Sequence, residues 1–192
     1  MERTAIEDDL ERTLGRIAEL ATVASDSAVL TQVAMLLTGF VERHRSELTF
    51  ESFPLPTGVD EALCSYELHS ADATGLTLYL NAIRGGVNSV VHDHGTWAVI
   101  VAIAGQERNR IYRLLDDGSS PDRAVLELER EITVRAGQPL VLEEGQFHSI
   151  HTADAEPALQ LHLYGRPIDT INGRRIADLQ TGQLVYLDSA GS

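Results

Sequence analysis

The first third of the chain has the hydrophobic spacing of α-helices. Its first apolar residues recur every three or four positions, at Leu10, Leu14, Ile17 and Leu20. Residues with this spacing share one face of a helix. A second helix is predicted to begin after Asp26 or Ser27, whose side chains suit an N-cap. Its apolar positions are Val29, Leu30, Val33, Leu36, Leu37 and Phe40.

After Pro54, Pro56 and Gly58 the pattern changes to short β-type runs separated by turn residues. The runs are Thr77–Leu80, Ser89–His94, Trp97–Ile103, Arg108–Leu115, Ala124–Leu128, Pro139–Leu142 and Leu159–Tyr164. Many short strands of this kind indicate a sandwich or a barrel. We therefore expect residues 1–58 to form a helical segment that packs on a β-barrel of residues 59–192, in one structural domain.

The composition argues against several classes of partner and location. The 192 residues include 15 Lys and Arg against 29 Asp and Glu, a formal net charge of -14. Nucleic acid and anionic membranes both favour a basic face, so we expect neither as a partner. Cys64 is the only cysteine, and the first residues lack the pattern of a signal peptide. The longest strongly apolar run, Trp97–Ala104, is too short to cross a bilayer, so a cytoplasmic location is expected.

Three histidines form the strongest candidate for a functional site. His92 and His94 are two positions apart, so on a β-strand both side chains point to the same face. His148 can supply a third imidazole from a distant strand. Imidazole binds iron, zinc, copper and nickel, so the set predicts a metal without naming it. His151 competes as the third ligand, and we favour His148 because it follows Gly145 in a Gly-x-x-His arrangement.

The glycines around these histidines resemble the two sequence motifs of the cupins, which are small metal-binding jelly-roll proteins. Gly86 and Gly105 flank the first pair of histidines, while Gly137 and Gly145 precede His148. The resemblance implies a mainly β, cupin-type double-stranded β-helix (a jelly-roll barrel) with the N-terminal α-helices packed outside.

Two segments further resemble the cysteine dioxygenase family of cupins, and most closely its bacterial 3-mercaptopropionate dioxygenase branch. The segment Val91–Ala98 contains His-Asp-His, then Trp97 three residues later, and it ends in Ala98 where other cupins have glutamate. The segment Leu161–Gly165 resembles the family's His-x-Tyr pair near the iron. The likeness extends over about residues 66–182.

This resemblance implies a non-heme iron thiol dioxygenase, which oxidises a small mercapto-carboxylate or related thiol to its sulfinic acid with O2. The implied cofactor is Fe(II), held by His92, His94 and His148, and the implied partners are a small thiol and O2. Tyr164 is the implied hydrogen-bond donor to substrate or oxygen, and His162 is the residue that orients it. Cupins often pair through their sheets, so a homodimer is a further expectation.

The resemblance also implies where the substrate binds. The mercaptopropionate branch draws a carboxylate-binding arginine from the region after His-x-Tyr, which makes Arg166 and Arg174 candidates, with Arg175 beside them and Arg84 as a further choice. Gln160 and Trp97 are two more candidates for substrate binding. Gln160 stands where the family usually has a serine, and Trp97 is expected in the core or on the pocket wall.

Two other functions fit a three-histidine cupin. One is a non-redox metal-dependent enzyme, an isomerase or lyase, in which zinc, manganese or nickel acts as a Lewis acid. The other is a non-catalytic cupin that senses a metal or a ligand. His162 and Tyr164 favour an enzyme, because a passive pocket has no evident need of a proton-donating phenol.

Overall fold

A computed structural model describes residues 4–23, 26–70, 75–116, 120–153 and 155–187. The end of the predicted barrel segment, residues 188–192, lies outside these ranges. Two helices come first, α1 at Ala5–Val23 and α2 at Ser27–Arg43. Asp26 is the N-cap of α2, because its carboxylate accepts hydrogen bonds from the backbone N–H groups of Ala28 and Val29, both at 3.0 Å.

Eleven strands are found within the described ranges. They are β1 Leu63–Ser70, β2 Thr77–Ile83, β3 Val91–His92, β4 Ala98–Ala104, β5 Glu107–Leu114, β6 Leu126–Val134, β7 Leu140–Leu142, β8 Phe147–Thr152, β9 Ala158–Tyr164, β10 Arg174–Ala177 and β11 Leu184–Leu187. A short 3-10 helix at Ile168–Thr170 connects β9 to β10.

The strands form two antiparallel sheets that pack face to face. One sheet has the order β1-β2-β9-β4-β7, and the other has the order β11-β10-β3-β8-β5-β6. Ile100 of the first sheet and Ile111 of the second belong to one buried cluster, which fills the space between them. The predicted fold class is therefore confirmed: the protein is a mainly β, cupin-type jelly roll with its helices on the outside.

The inner strands β2, β9 and β4 of the five-stranded sheet are buried on both faces, and this burial positions the site. On the outer face, Leu159, Leu161 and Leu163 of β9 share a core cluster with Phe40 of α2. The alternate residues of β9, which are Gln160, His162 and Tyr164, face the other sheet. A strand covered on both sides normally has an almost continuous apolar sequence. Three polar or amphipathic residues on its inner face therefore mark a functional interior.

Four strands were not among the predicted runs: β1 and β11 at sheet edges, and β8 and β10 inside the six-stranded sheet. β1 was not predicted, because it is an edge strand whose burial alternates between exposed and half-buried positions. β6, at the edge of the other sheet, is longer than the predicted run and largely exposed. β3 covers only Val91–His92 instead of the predicted Ser89–His94. Neither α1 nor α2 is long and apolar enough to cross a membrane.

Candidate metal centre

His92, His94 and His148 converge on one point inside the barrel. His92 pairs directly with His148 across β3 and β8, and one ring nitrogen of each of the three lies within 4.8 Å of the others. The Nε2 atoms of His94 and His148 are 2.9 Å apart. Two nitrogens bound at right angles to a metal about 2.1 Å away are separated by about 3.0 Å. The nitrogens of His94 and His148 therefore have the spacing that a single metal ion requires, and His92 completes a group that could hold one.

Asp93, between the first two histidines, points away from them and fixes their segment. Its carboxylate accepts from the backbone N–H of Arg175 at 2.8 Å and from Arg175 Nε at 2.6 Å. The guanidinium of Arg175 also lies 4.6 Å from the ring centre of Phe147. Gly95 follows with a φ of +62°, and a Cβ there would lie 2.6 Å from Ile171 Cγ2, so only glycine permits this turn.

Burial keeps the three imidazoles neutral. It lowers the pKa of His94 and of His148 well below the ordinary value, and the neighbouring histidines lower both further. The pKa of His92 is also lowered, again chiefly by burial. A neutral imidazole offers a nitrogen lone pair to a metal without first losing a proton.

The outer nitrogens of two of these rings face oxygen acceptors. His92 Nδ1 lies 3.0 Å from the carbonyl oxygen of Val90, and His148 Nδ1 lies 2.8 Å from Oδ1 of Asn109. An imidazole that donates from Nδ1 carries its lone pair on Nε2, and such outer partners fix the orientation of metal-binding histidines. Both rings are therefore held ready to bind through Nε2.

The residues present fit a divalent transition metal. Imidazole nitrogen is a good ligand for iron, zinc, copper and nickel. Ala98 and Val99, which take the place of the usual cupin glutamate, are fully buried apolar residues of β4, so neither adds a ligand. Three neutral ligands leave the full charge of the metal uncompensated and leave coordination positions open for a substrate.

An open cavity of about 530 Å³ adjoins the histidines. Its lining includes His92, His94, Tyr164, Asn81 and Arg174. Small-molecule sites typically have volumes in this range. The cavity is therefore large enough for a small substrate beside the metal.

Tyr164 and His162 lie next to the cluster as a pair. The ring centres of Tyr164 and His94 are 5.0 Å apart, and His162 Nδ1 lies 3.3 Å from the Tyr164 hydroxyl. Burial, reinforced by the carboxylate of Glu107, raises the pKa of Tyr164 well above its usual value, so the phenol keeps its proton. Burial, with a smaller effect of His92, lowers the pKa of His162 to about 3. A neutral imidazole thus orients a protonated phenol.

Of the four candidate arginines, Arg174 is the one that lines the cavity. Its Nε is buried and has no hydrogen-bond partner among the described residues. Arg166 instead forms an exposed ion pair with Glu144 at 2.6 Å. Arg84 donates to the carbonyl of Pro56 at 2.6 Å, and Arg175 is bound to Asp93 as described above. The structure therefore offers Arg174, and not Arg166, to an anionic group in the cavity.

Two predicted substrate-binding residues, Trp97 and Gln160, do not line the cavity. Trp97 is only 6% exposed and packs in the core on the helical side of the sheet. Gly165 approaches it so closely that a Cβ would lie 2.3 Å from the indole. Gln160 is fully buried, and neither atom of its amide has a hydrogen-bond partner within the described part of the chain. These positions do not support direct contact of either residue with a substrate.

His151, the rival third ligand, points to the other side of the sheet. Its Nδ1 lies 2.6 Å from Oδ1 of Asn88, and its Nε2 lies 2.9 Å from Oγ of Ser149. Both of its nitrogens are therefore used by the protein, and it does not join the cluster.

Two buried residues near the site were not predicted. Asn109, which contacts His148, and Glu107, which contacts Asn109, occupy alternate positions of β5 and are fully buried. Ile111 continues the same alternation inward. Polar residues at inward positions of an alternating strand were the signal that could have identified them.

The fold and the site together define a class: a cupin-type barrel with a three-histidine metal site. No protein-family model matches the chain, and no curated protein is similar to it in sequence.

The solved structures similar to this chain include several cupins. One is the Cupin_2 domain of an XRE family transcriptional regulator from Enterobacter cloacae, with 17% identity, a TM-score of 0.40, and coverage of 56% of this chain and 99% of that one. An oxalate oxidase has 19% identity and a TM-score of 0.45, covering 58% of this chain and 54% of that one. The Lactobacillus farciminis oxalate decarboxylase has 18% identity and a TM-score of 0.44, covering 59% and 31%.

Proposed function

We propose that the protein is an Fe(II)-dependent thiol dioxygenase that converts a small mercapto-carboxylate to its sulfinic acid. The observation that carries the proposal is one cavity lined by His92 and His94 of the three-histidine cluster, the protonated phenol of Tyr164 and the Arg174 guanidinium. The imidazoles can bind a metal, the phenol can donate a hydrogen bond to an acceptor that develops charge, and the guanidinium can pair with a carboxylate.

The reaction is balanced without a further reductant. Two S–O bonds form and the O–O bond breaks, so the sulfur loses four electrons and O2 gains four. The thiol proton is released when the sulfinic acid ionises. Iron held by three neutral ligands supplies the redox chemistry that lets a thiolate and O2 react at one place.

The residues of the chain bind and orient the substrate in this proposal. Arg174 pairs with the substrate carboxylate, because guanidinium is the natural bidentate partner of that group. Tyr164 donates its hydroxyl to the reacting thiol or oxygen, and His162 keeps the phenol in position. Tyr79, whose ring centre is 6.3 Å from that of Tyr164, supports the phenol from β2.

The direct test is anaerobic loading with Fe(II), followed by O2 uptake on a panel of thiols. We expect 3-mercaptopropionate or a related mercapto-carboxylate to be consumed with one O2 per thiol, giving a product heavier by two oxygen atoms. An iron-loaded protein that consumes no O2 with any thiol would contradict the proposal. Activity with zinc, manganese or nickel in an isomerisation or elimination would favour a Lewis-acid enzyme instead.

The role of Arg174 has its own test with a matched control. Arg174→Gln should raise KM for the mercapto-carboxylate by at least about tenfold, because a charge-assisted hydrogen bond contributes roughly 1.5–3 kcal/mol. Oxidation of cysteamine, which has no carboxylate, should change little. Arg166→Gln removes an exposed arginine from the same region and should leave both substrates unaffected. An equal effect of Arg174→Gln on both thiols would remove its assigned role.

A further inference from the structure

A chain of three buried polar side chains leads from the metal site into the barrel. His148 Nδ1 lies 2.8 Å from Oδ1 of Asn109, and Asn109 Nδ2 donates to Oε1 of Glu107 at 2.7 Å. All three residues are 0% exposed. Glu107 therefore reaches His148 only through the amide of Asn109.

The direction of the amide determines which nitrogen of His148 carries hydrogen. Above its raised pKa of about 7, Glu107 is ionised and only accepts hydrogen bonds, so it requires the NH2 group of Asn109, the group that lies 2.7 Å from its Oε1. The amide oxygen then faces His148 and requires a hydrogen on Nδ1. The lone pair is left on Nε2, the atom that lies 2.9 Å from His94 Nε2. A reversed amide would place its NH2 against Nδ1 and move the imidazole hydrogen to Nε2, where a metal must bind.

We propose that Glu107 is a positioning residue that sets the tautomer of His148 through Asn109 and so holds the third ligand ready for the metal. This inference rests on the three-histidine metal site of the proposed function and is independent of thiol oxidation. Glu107 does not line the cavity, and its hydrogen bond goes to Asn109 and not to a metal ligand, so it acts on His148 through Asn109.

The surroundings of Glu107 make a purely structural role hard to explain. Its second oxygen, Oε2, is buried with no hydrogen-bond partner among the described residues. Ile111 and Val134, which belong to the core between the sheets, occupy neighbouring inward positions on β5 and β6. Burying a carboxyl group with an unpaired oxygen is costly, and an apolar residue would pack here without that cost. A carboxylate at this position is explained if the amide needs an acceptor-only partner.

The first test reads the tautomer in the metal-free full-length protein. Long-range proton–nitrogen NMR of 15N-labelled histidine, recorded above pH 7 where Glu107 is ionised, should show His148 with hydrogen on Nδ1. Hydrogen on Nε2 would overturn the proposal. This measurement uses neither thiol nor O2, so its outcome is separate from that of the dioxygenase test.

The second test uses Zn(II) affinity as the readout. In Glu107→Gln, the new side-chain amide can bind the Asn109 amide in either direction, so we expect both tautomers of His148. Zn(II) binding should be roughly tenfold weaker, as when other metal ligands lose an outer hydrogen-bond partner. Glu127→Gln removes an exposed carboxylate from the neighbouring strand and should bind as the unaltered protein does. Unchanged affinity in Glu107→Gln would overturn the proposal.

A double substitution separates tautomer control from packing. In Glu107→Gln combined with Asn109→Asp, the acceptor-only group moves to position 109, where it accepts from both the new amide and His148 Nδ1. We expect the Nδ1–H tautomer of His148 to return. Zn(II) affinity should recover to within about threefold of the unaltered protein, a smaller difference than the loss of an outer hydrogen-bond partner causes. Zn(II) affinity of the double variant no higher than that of Glu107→Gln would indicate that the two positions matter only through packing, and would overturn the proposal.

Discussion

His148 and His151 lie three residues apart on β8 and point to opposite faces of the six-stranded sheet. His148 faces the barrel interior, where one nitrogen contacts Asn109 and the other faces His94. His151 faces outward, where Asn88 and Ser149 occupy both of its nitrogens. The two rings show what distinguishes a metal ligand from another histidine on the same strand. The ligand has one nitrogen fixed by the protein and the other left available.

The largest difference between the inward-facing His148 and the outward-facing His151 should appear in metal retention. His148→Ala removes a direct ligand, so we expect metal affinity to fall by more than about a hundredfold, beyond the effect of losing an outer partner. His151→Ala should retain nearly all of the metal. Metal content after gel filtration, measured by mass spectrometry, compares the two. Loss of metal in the His151 variant alone would reverse the ligand assignment.

Asp93, whose side chain points away from the histidines, gives a second comparison, in the free energy of unfolding. Its carboxylate is 2% exposed and its partner Arg175 is 28% exposed, so Arg175→Gln leaves a buried charge without its partner. We expect a loss of about 3 kcal/mol in the free energy of unfolding. Arg166→Gln breaks a fully surface-exposed pair and should cost less than about 1 kcal/mol. Urea unfolding followed by circular dichroism measures both, and equal losses would show that the Asp93 pair does not hold the histidine segment.

Tyr164, inside the barrel, and Tyr112, on the outer face of the six-stranded sheet, provide a third comparison, in turnover. If the proposed oxidation is correct, Tyr164→Phe should lower kcat by about a hundredfold, the usual scale for losing a positioned proton donor. Its metal content should remain unchanged. Tyr112→Phe removes the outer-face hydroxyl that lies 3.3 Å from Ser149 Oγ and should keep full turnover. Unchanged kcat in Tyr164→Phe would remove this phenol from the mechanism.

The smallest expected effect is a change of the free energy of unfolding with pH, caused by Glu107. Burial, opposed in part by the hydrogen bond from Asn109, raises the pKa of Glu107 from 4.5 to about 7. Between these values the folded protein keeps a proton that the unfolded chain has lost, so stability falls as pH rises. For this group alone the loss is about 2 kcal/mol from pH 5 to pH 7.

Glu107→Gln removes this dependence, so the variant should gain about 2 kcal/mol relative to the unaltered protein over the same interval. Chelated, metal-free protein is required because metal binding is itself pH-dependent. Glu127→Gln, whose carboxylate is 54% exposed, should show a constant difference at every pH. A constant difference for Glu107→Gln would mean that its carboxyl group titrates normally.

The parts of the fold that could be predicted from the sequence are those with a strong local pattern. The helical spacing of Leu30 and Leu37 and the candidate N-cap at Asp26 or Ser27 identified α2. The apolar run Trp97–Ile103 identified β4. β1 and β6 were missed or shortened because an edge strand can expose side chains on both faces, which leaves no regular alternation.

The site could be predicted only where the motif spacing determines it. The three histidines were found from their motif spacing, although His94 lies beyond the end of β3, and the His162–Tyr164 pair was found because alternation along β9 gives both residues the same face. The choice among the arginines could not be made, because it depends on the path of the chain between β9 and β10. That path turns Arg174 into the cavity and leaves Arg166 with Glu144 at the surface. Asn109 was missed because its role appears only when β5 is paired with β8.

The packing of Trp97 has a practical consequence. It is the only tryptophan of the chain, and its indole rests against Gly165, the residue that follows Tyr164. Its fluorescence therefore comes from one known position, shielded from solvent and from anything that enters the cavity. A change in emission on adding iron or a thiol reports energy transfer or movement at the end of β9, so rapid-mixing experiments can follow loading of the site without an attached dye.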